Sequence, residues 1–285
     1  MASSQASGVN TPPYVDFKRA VELMLDGHPV IFPTETFFAL GSRALDADAT
    51  ARVYRAKHRS TVRPLPLILG DWEQLDMIAK VHDELMPLLK RFWPGPLSVI
   101  FPARLRVPDI LTGGTGRVAV RLSSHPVARA LAQAVGEPIT SSSANISGNP
   151  AVVSVNQLDE ELIASVMGIL DEPPVPAGGL PSTLVERMED GRLRLLRAGA
   201  VTSAQIAASG LDYLALGHIH KYKKGSIDSR GVYCYSGCLE ARGFDECGEK
   251  GFVLLDTAAA VSGSAGSGTE NIAAESPECG TARKI

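Results

Sequence analysis

The sequence predicts an α/β fold built on a mixed sheet, with a short, partly ordered β-rich extension behind it. Two observations carry that prediction. Between residues 15 and 199 the apolar residues switch repeatedly between helical spacing and short continuous runs, the pattern of interleaved helices and buried strands. Past residue 200 the character changes, and all four cysteines (Cys234, Cys238, Cys247, Cys279) fall in this last part of the chain.

Phe17, Ala20, Val21, Met24 and Leu25 recur at helical spacing, and Gly27 stands where such a helix stops. Val30-Ile31-Phe32 reads as a buried strand closed by Pro33. A helix over 47–57 takes Asp46 or Asp48 as its N-cap, and 65–69 is the next strand. Helices follow over 72–79 and 83–92, the second stopped by Trp93-Pro94-Gly95-Pro96. Strands are expected at 97–101 and 117–122, then a helix over 127–135 and a polar loop after Ile139. A helix over 155–164 precedes a short strand at 166–170. Residues 173–181 form a Pro/Gly loop, and strands at 183–186 and 193–196 complete the unit. The expected organisation is a disordered leader (1–13), a main domain (14–200), the extension (211–256) and a disordered tail (257–285), the last rich in Ala, Ser, Gly and Glu with little to bury.

Composition excludes some classes. Of the 285 residues 45% are hydrophobic and 21% charged, values of a globular protein with a sizeable core. No apolar run reaches the length of a membrane span, and the N-terminus lacks a signal pattern, so a cytoplasmic protein without membrane association is expected. The cysteine-free main domain carries no disulfide framework. Net charge is only −3, so attraction for phosphates must come from local patches. One such patch exists: Arg52, Arg55, Lys57, Arg59 and Arg63 are five cations within twelve residues, with no acid among them. Arg52, Arg55 and Arg59 fall near one helical face. Such groups can grip a triphosphate and neutralise a leaving pyrophosphate, or they can form a solvated helix face.

Three strand ends add small polar groups. Thr140-Ser141-Ser142-Ser143-Ala144-Asn145-Ile146-Ser147-Gly148 clusters hydroxyls and an amide after a strand, suited to phosphate or a small polar substrate, or to an ordinary turn. Pro33-Thr34-Glu35-Thr36 is a second such loop, and Arg121 ends a third strand. Gly114-Thr115-Gly116-Arg117-Val118-Ala119 fits G-x-G-x-x-A, yet a strand follows it, the wrong context for a dinucleotide site. No Walker loop is present. His28, His58, His82 and His125 are scattered without metal spacing and read as surface residues.

Taken in order, these stretches resemble the YrdC family across about residues 15–200. The matching segments are Pro33-Thr34-Glu35-Thr36, Lys57-His58-Arg59 with Pro64-Leu65, Trp93-Pro94-Gly95-Pro96-Leu97 and Val118-Ala119-Val120-Arg121. Ser143-Ala144-Asn145-Ile146-Ser147-Gly148, Pro181-Ser182-Thr183 and Arg197-Ala198-Gly199-Ala200 continue the match. The resemblance implies a twisted open sheet with a positively charged concave face. It also implies an L-threonylcarbamoyladenylate synthase, which joins L-threonine, bicarbonate and ATP, with Mg2+ on the triphosphate, into threonylcarbamoyl-AMP and releases pyrophosphate. That product is the first step of threonylcarbamoyladenosine (t6A) modification of tRNA, and a downstream tRNA threonylcarbamoyl transferase machinery would receive it. By the same resemblance Lys57 and Arg59 are the catalytic cations and hold ATP with Ser143, Asn145 and Arg197. Thr34, Arg121, Ser141 and Ser182 bind threonine, with Arg121 forking its carboxylate.

The sequence departs from the family's usual Tyr-Gly at Phe38-Ala39, and at Arg63 and Ala151. These departures leave room for a second reading, a catalytically weak paralogue that binds double-stranded RNA or tRNA. Residues 43–121 carry thirteen Lys/Arg against eight Asp/Glu, a local positive field consistent with it.

Residues 211–256 resemble the end of a calcineurin-like metallophosphoesterase of the DNA-repair exonuclease type, through Gly217-His218-Ile219-His220, Tyr235-Ser236-Gly237-Cys238 and Gly248-Glu249-Lys250-Gly251-Phe252. His218 and His220 would be metal ligands in an intact enzyme. The other ligands of a two-metal centre have no counterpart in the preceding sequence, so an inactive remnant is expected. A zinc site from these histidines with Cys234, Cys238 and Cys247 is the alternative, on loose spacings.

Overall fold

The computed structural model describes residues 13–207 and, beyond them, three strand segments at 214–216, 223–226 and 232–235. Eight helices occur in the described residues: α1 (Phe17–Leu25), α2 (Ala47–Ala56), α3 (Glu73–Ile78), α4 (Met86–Phe92), α5 (Asp109–Thr112), α6 (Pro126–Val135), α7 (Glu160–Ala164) and α8 (Ser203–Ala207). The strands are β1 (Val30–Pro33), β2 (Phe38–Gly41), β3 (Leu67–Leu69), β4 (Leu97–Pro102), β5 (Arg117–Leu122), β6 (Ile139–Thr140), β7 (Ser142–Ser143), β8 (Gly168–Ile169), β9 (Thr183–Arg187) and β10 (Leu193–Arg197). The short segments β11 (Leu214–Leu216), β12 (Lys223–Ser226) and β13 (Val232–Tyr235) follow.

The α/β fold with mixed pairing is present, but its strands are divided between two sheets. The smaller runs β7-β2-β1-β8 and the larger β12-β13-β11-β10-β9-β4-β5-β3-β6. In the larger sheet β4 pairs antiparallel with β5 and parallel with β9, while β3 pairs parallel with β5. The extension adds strands to one edge: β11 lies parallel to β10, and β13 joins β11 to β12. His218, His220 and the four cysteines, apart from the backbone of Cys234, lie outside the described residues.

Local chemistry explains the helix starts. Asp16 caps α1 by accepting from the Arg19 amide at 2.8 Å, and Asp46, not Asp48, caps α2 by accepting from the Asp48 and Ala49 amides. Pro126 opens α6 and Gly136, in the left-handed region, closes it. Some elements are shorter than their periodicity suggests. The expected helix over 155–164 is a 3-10 turn (Val155–Gln157) followed by α7, because Asp159 turns its carboxylate onto a neighbouring loop. Strand 166–170 pairs only over Gly168–Ile169. Three elements have weak sequence signals: β2, α5 and α8, the last adding Ile206 and Ala207 to the core.

Strict alternation along the larger sheet sets the stage for a site. Leu97, Val99, Phe101, Val118, Val120, Leu122, Val185, Leu193 and Leu195 point to one side and pack into the main core. The opposite side carries Ser98, Ile100, Arg117, Ala119, Arg121, Leu184, Glu186 and Arg194, placed in adjacent rows by the register. A second core forms between α1, α6, β1 and the Ile68–Ile139 end of the sheet.

Candidate active site

Charged and hydroxyl side chains gather in two groups, each built at the end of a regular element. The first stands at the C-terminus of α2. His58 adopts φ +49°, and the amides of His58 and Arg59 donate back to the Arg55 and Tyr54 carbonyls at 3.1 and 3.0 Å. This is a Schellman cap with histidine where glycine is usual. Lys57 is the C-cap and Arg59 lies just past the left-handed residue, so the turn splits the five-cation run. Arg59 is off the helix that the sequence reading placed it on. Its Nε donates to the Arg63 carbonyl at 3.3 Å and its Nη2 to the Pro64 carbonyl at 3.1 Å. Arg52 and Arg55 turn instead to a cleft of about 310 Å3, shared with His58 and Glu161. Arg63 is exposed.

Lys57 is 1% exposed, the reverse of a solvated cation. Its ammonium donates to the main-chain carbonyls of Ser143 and Asn145, the second at 2.5 Å. Asp159 holds the other side of the same loop, accepting from the Ile146 amide at 3.0 Å and from Asn149 Nδ2 at 2.9 Å. Asn145 spends its amide hydrogens on the Ile146 and Asn149 carbonyls, and its buried Oδ1 has no partner among the described residues. Burial, with repulsion from Arg59, pushes the Lys57 ammonium down to about 8, against an opposing pull from Asp159. Burial also lowers Arg59.

The second group stands on the side of the larger sheet opposite the main core. Ser98 and Ser182 hydroxyls lie 3.0 Å apart, and Arg197 donates to the Ser182 carbonyl from Nε at 3.0 Å and to Ser182 Oγ from Nη2 at 2.9 Å. Arg197 reaches this side only through a β-bulge: Leu195 faces Val185, but Arg197 faces Leu184, so one extra residue in β10 turns Arg197 away from the core. Gly199 lies so close that a Cβ there would stand 2.2 Å from the Pro181 carbonyl oxygen and 2.6 Å from Ser182 C. Only glycine lets the two segments meet. Partial desolvation and repulsion from Arg121 lower the Arg197 pKa, which places the two guanidiniums within electrostatic reach.

Arg121 meets a carboxylate. Its Nε is 3.4 Å from Glu35 Oε1, and Ser123 Oγ donates to Glu35 Oε2. Glu35 comes from the β1–β2 loop of the smaller sheet, so this contact ties the two sheets together. The same loop is pinned from behind, where the Ala177 and Gly178 amides donate to the Glu35 and Thr36 carbonyls at 3.3 and 2.8 Å. Thr34 is 1% exposed and its hydroxyl donates to the Phe37 carbonyl at 2.6 Å, within its own turn. Ser141 sits where β6 of one sheet passes into β7 of the other, its amide on the Pro66 carbonyl at 2.7 Å.

Of the residues singled out from sequence, the structure joins Lys57, Ser143 and Asn145 in one group and Arg121, Ser182 and Arg197 in the other. Arg197 is thus bonded to the residue assigned to threonine, rather than to Ser143 or Asn145. His125, read as a surface residue, is 3% exposed and its Nε2 is 2.8 Å from the Pro174 carbonyl. Phe38 and Ala39 point into the two cores, so the Tyr-Gly departure replaces buried atoms. Sequence reasoning missed Glu35, Ser98, Ser123 and Asp159 as site residues. Only Glu35 left a signal, an acid inside a quoted strand-end loop.

The sequence profile of the Sua5/YciO/YrdC family, described as "Telomere recombination", matches residues 22–199. The chain belongs to this family. Among its relatives, the threonylcarbamoyl-AMP synthase of Pyrococcus abyssi is 37% identical over 188 residues, which are 66% of this chain and 55% of that protein. The synthase of Bacillus subtilis is also 37% identical, over 195 residues, 67% of this chain and 55% of the relative. The crystal structure of P. abyssi Sua5 complexed with L-threonine superposes with a TM-score of 0.65 at 36% identity, covering 68% of this chain and 57% of that one. The chain therefore spans about half the length of the curated Sua5/YciO/YrdC relatives it matches first.

Proposed function

We propose that the chain is an L-threonylcarbamoyladenylate synthase, joining L-threonine, bicarbonate and ATP into threonylcarbamoyl-AMP, the first intermediate of tRNA t6A modification. The observation that carries this reading is the difference in charge between the two groups. Lys57 and Arg59 donate to main-chain carbonyls, and Asp159 acts on Lys57 only from a distance across the same loop, which leaves net positive charge for a triphosphate. Arg121 pairs with one acid, Glu35, and Arg197 donates to Ser182, which leaves the group of two arginines and one carboxylate with a single positive charge beside three serines. That pocket suits one carboxylate with a hydroxyl nearby. Family membership and the threonylcarbamoyl-AMP synthase names of the relatives support the assignment.

In this reading Arg121 takes the threonine carboxylate, and Ser182, Ser141 and Thr34 surround the rest of the amino acid. Lys57, Arg59, Ser143 and Asn145 hold the nucleotide, and Arg197 bridges toward it from the threonine side. Bicarbonate takes up a proton and loses water to give carbon dioxide, to which the threonine amine adds, forming a C–N bond and losing a proton to solvent. One oxygen of the resulting carbamate then attacks the α-phosphorus, forming P–O as the bond to pyrophosphate breaks. The chain supplies alignment and charge, not a strong base. Among the described residues no cluster of three or more His, Cys, Asp or Glu is present. By the family resemblance, Mg2+ would ride on the triphosphate and offset its charge.

The partners of this reading are tRNA and the transferase machinery that consumes the product, in the cytoplasm. No helix among the described residues is long and apolar enough to cross a membrane. Residues 211–256 are read as a metallophosphoesterase-like remnant that adds strands without activity. The test is pyrophosphate release from ATP and bicarbonate, with and without L-threonine. Threonine-dependent release is expected. Its absence from folded protein would overturn the synthase and favour a module that binds RNA without turnover.

A further inference from the structure

Glu35 is the acid of the second group, facing Arg121, and the proposed chemistry gives it no role. It is nevertheless held with more contacts than any cation it faces. Ser123 donates to one carboxylate oxygen, Arg121 Nε approaches the other at 3.4 Å, and the main chain on both sides of the carboxylate accepts from the 177–178 loop. The Glu35 and Arg121 side chains are only 13% and 10% exposed. The 3.4 Å approach is an ion pair without a hydrogen bond, and among the described residues no hydrogen bond is made by the Arg121 guanidinium, so its fork stays uncommitted.

We propose that Glu35 is the specificity-determining residue of the amino-acid pocket: it orients Arg121 from behind and lowers the pocket to one net positive charge, so that a zwitterion with a single carboxylate enters and a dianion does not. The inference rests on the reading of the Arg121–Ser182–Arg197 group as the threonine pocket. Two arginines without Glu35 would form a site for sulfate, phosphate or a dicarboxylate, all abundant competitors of a free amino acid. With Glu35 in place, a dianion meets a fixed negative charge behind the first arginine. A like charge so placed selects by repulsion, which attraction alone does not achieve.

Calorimetry on the full chain tests this, with L-threonine as ligand and sulfate as competing dianion. Glu35→Gln keeps the shape and removes the charge. Threonine affinity is expected to fall about tenfold, and sulfate to displace threonine at roughly tenfold lower concentration than from the wild type. Glu35→Asp keeps the charge but loses reach, so it should weaken threonine yet retain resistance to sulfate. A merely structural glutamate would lose both properties in both variants. If Glu35→Gln does not fold, Ser123→Ala takes its place, and an unchanged threonine affinity there overturns the proposal. A folded Glu35→Gln protein with wild-type threonine affinity and sulfate resistance overturns the proposal alone. A wild type that binds no threonine overturns it together with the synthase reading.

Discussion

The two groups of cations solve opposite problems with the same residue types. At the end of α2, Lys57 is buried beneath a loop and satisfied by main-chain carbonyls, which compensate its hydrogens but not its charge. On the side of the larger sheet away from the main core, a carboxylate faces Arg121 and a serine faces Arg197, so hydroxyls satisfy hydrogens while the acid offsets part of the charge. A dipole leaves a cation available to a more strongly charged partner, whereas a carboxylate partly cancels it. The kind of counter-group, more than the number of cations, therefore separates a polyphosphate site from an amino-acid site.

The sharpest way to break this comparison is a reciprocal pair of truncations. Lys57→Ala should cut threonine-dependent pyrophosphate release by about 100-fold or more and weaken ATP binding, with threonine affinity within about threefold of wild type. Arg121→Ala should do the reverse, costing threonine about 100-fold in affinity and ATP little. Isothermal titration with each ligand reads both effects. Equal losses of both ligands in both variants would mean one undivided site.

A smaller effect tests the link between Gly199 and the second group alone. Gly199→Ala must move Ser182, because the new methyl would overlap the 181–183 backbone. Threonine affinity is expected to fall about tenfold, with ATP binding unchanged by calorimetry, and a cost of about 2 kcal/mol in denaturant unfolding.

The pH response sharpens the first group. The Lys57 pKa is lower in the folded chain, about 8, than its ordinary value of 10.5. The unfolded chain therefore binds the proton more tightly between those values, and stability should rise from about pH 8 to 10.5, by at most about 3 kcal/mol. Over the same range ATP affinity should fall as the ammonium is lost. Lys57→Met should flatten both trends in urea unfolding and ATP titration. The smallest effect is at the cap. His58→Gly removes the left-handed strain and should stabilise the protein by about 1 kcal/mol, with threonine binding unaltered.

Much of the fold was legible because its signals are local: the Asp16 and Asp46 caps, the stop at Trp93–Pro96, and the runs that became β1, β4 and β5. The division into two sheets was not, because it depends on Ser141 passing the chain from β6 to β7, a long-range event without a pattern of its own. Lys57, Arg121, Ser143, Asn145, Ser182 and Arg197 were legible as types at strand and helix ends. Their grouping was hidden, since Arg197 owes its side of the sheet to the bulge, and Glu35 its importance to a contact with a strand more than eighty residues away. The burial of Lys57 ran against its charge, and nothing in a cationic run announces that one member is folded inward.

Sidedness along a strand is a parity, and the β9 residue that Arg197 faces, Leu184, decides it. Substituting Leu196 leaves the parity unchanged, so a wide range of side chains should be tolerated there. Deleting Leu196 would remove the extra residue and set Arg197 directly after Leu195, opposite Leu184 in unbroken register, so the guanidinium should keep its side of the sheet. What this stretch transmits is a place in the ladder, and side chains or even one residue can change there as long as Arg197 still faces Leu184.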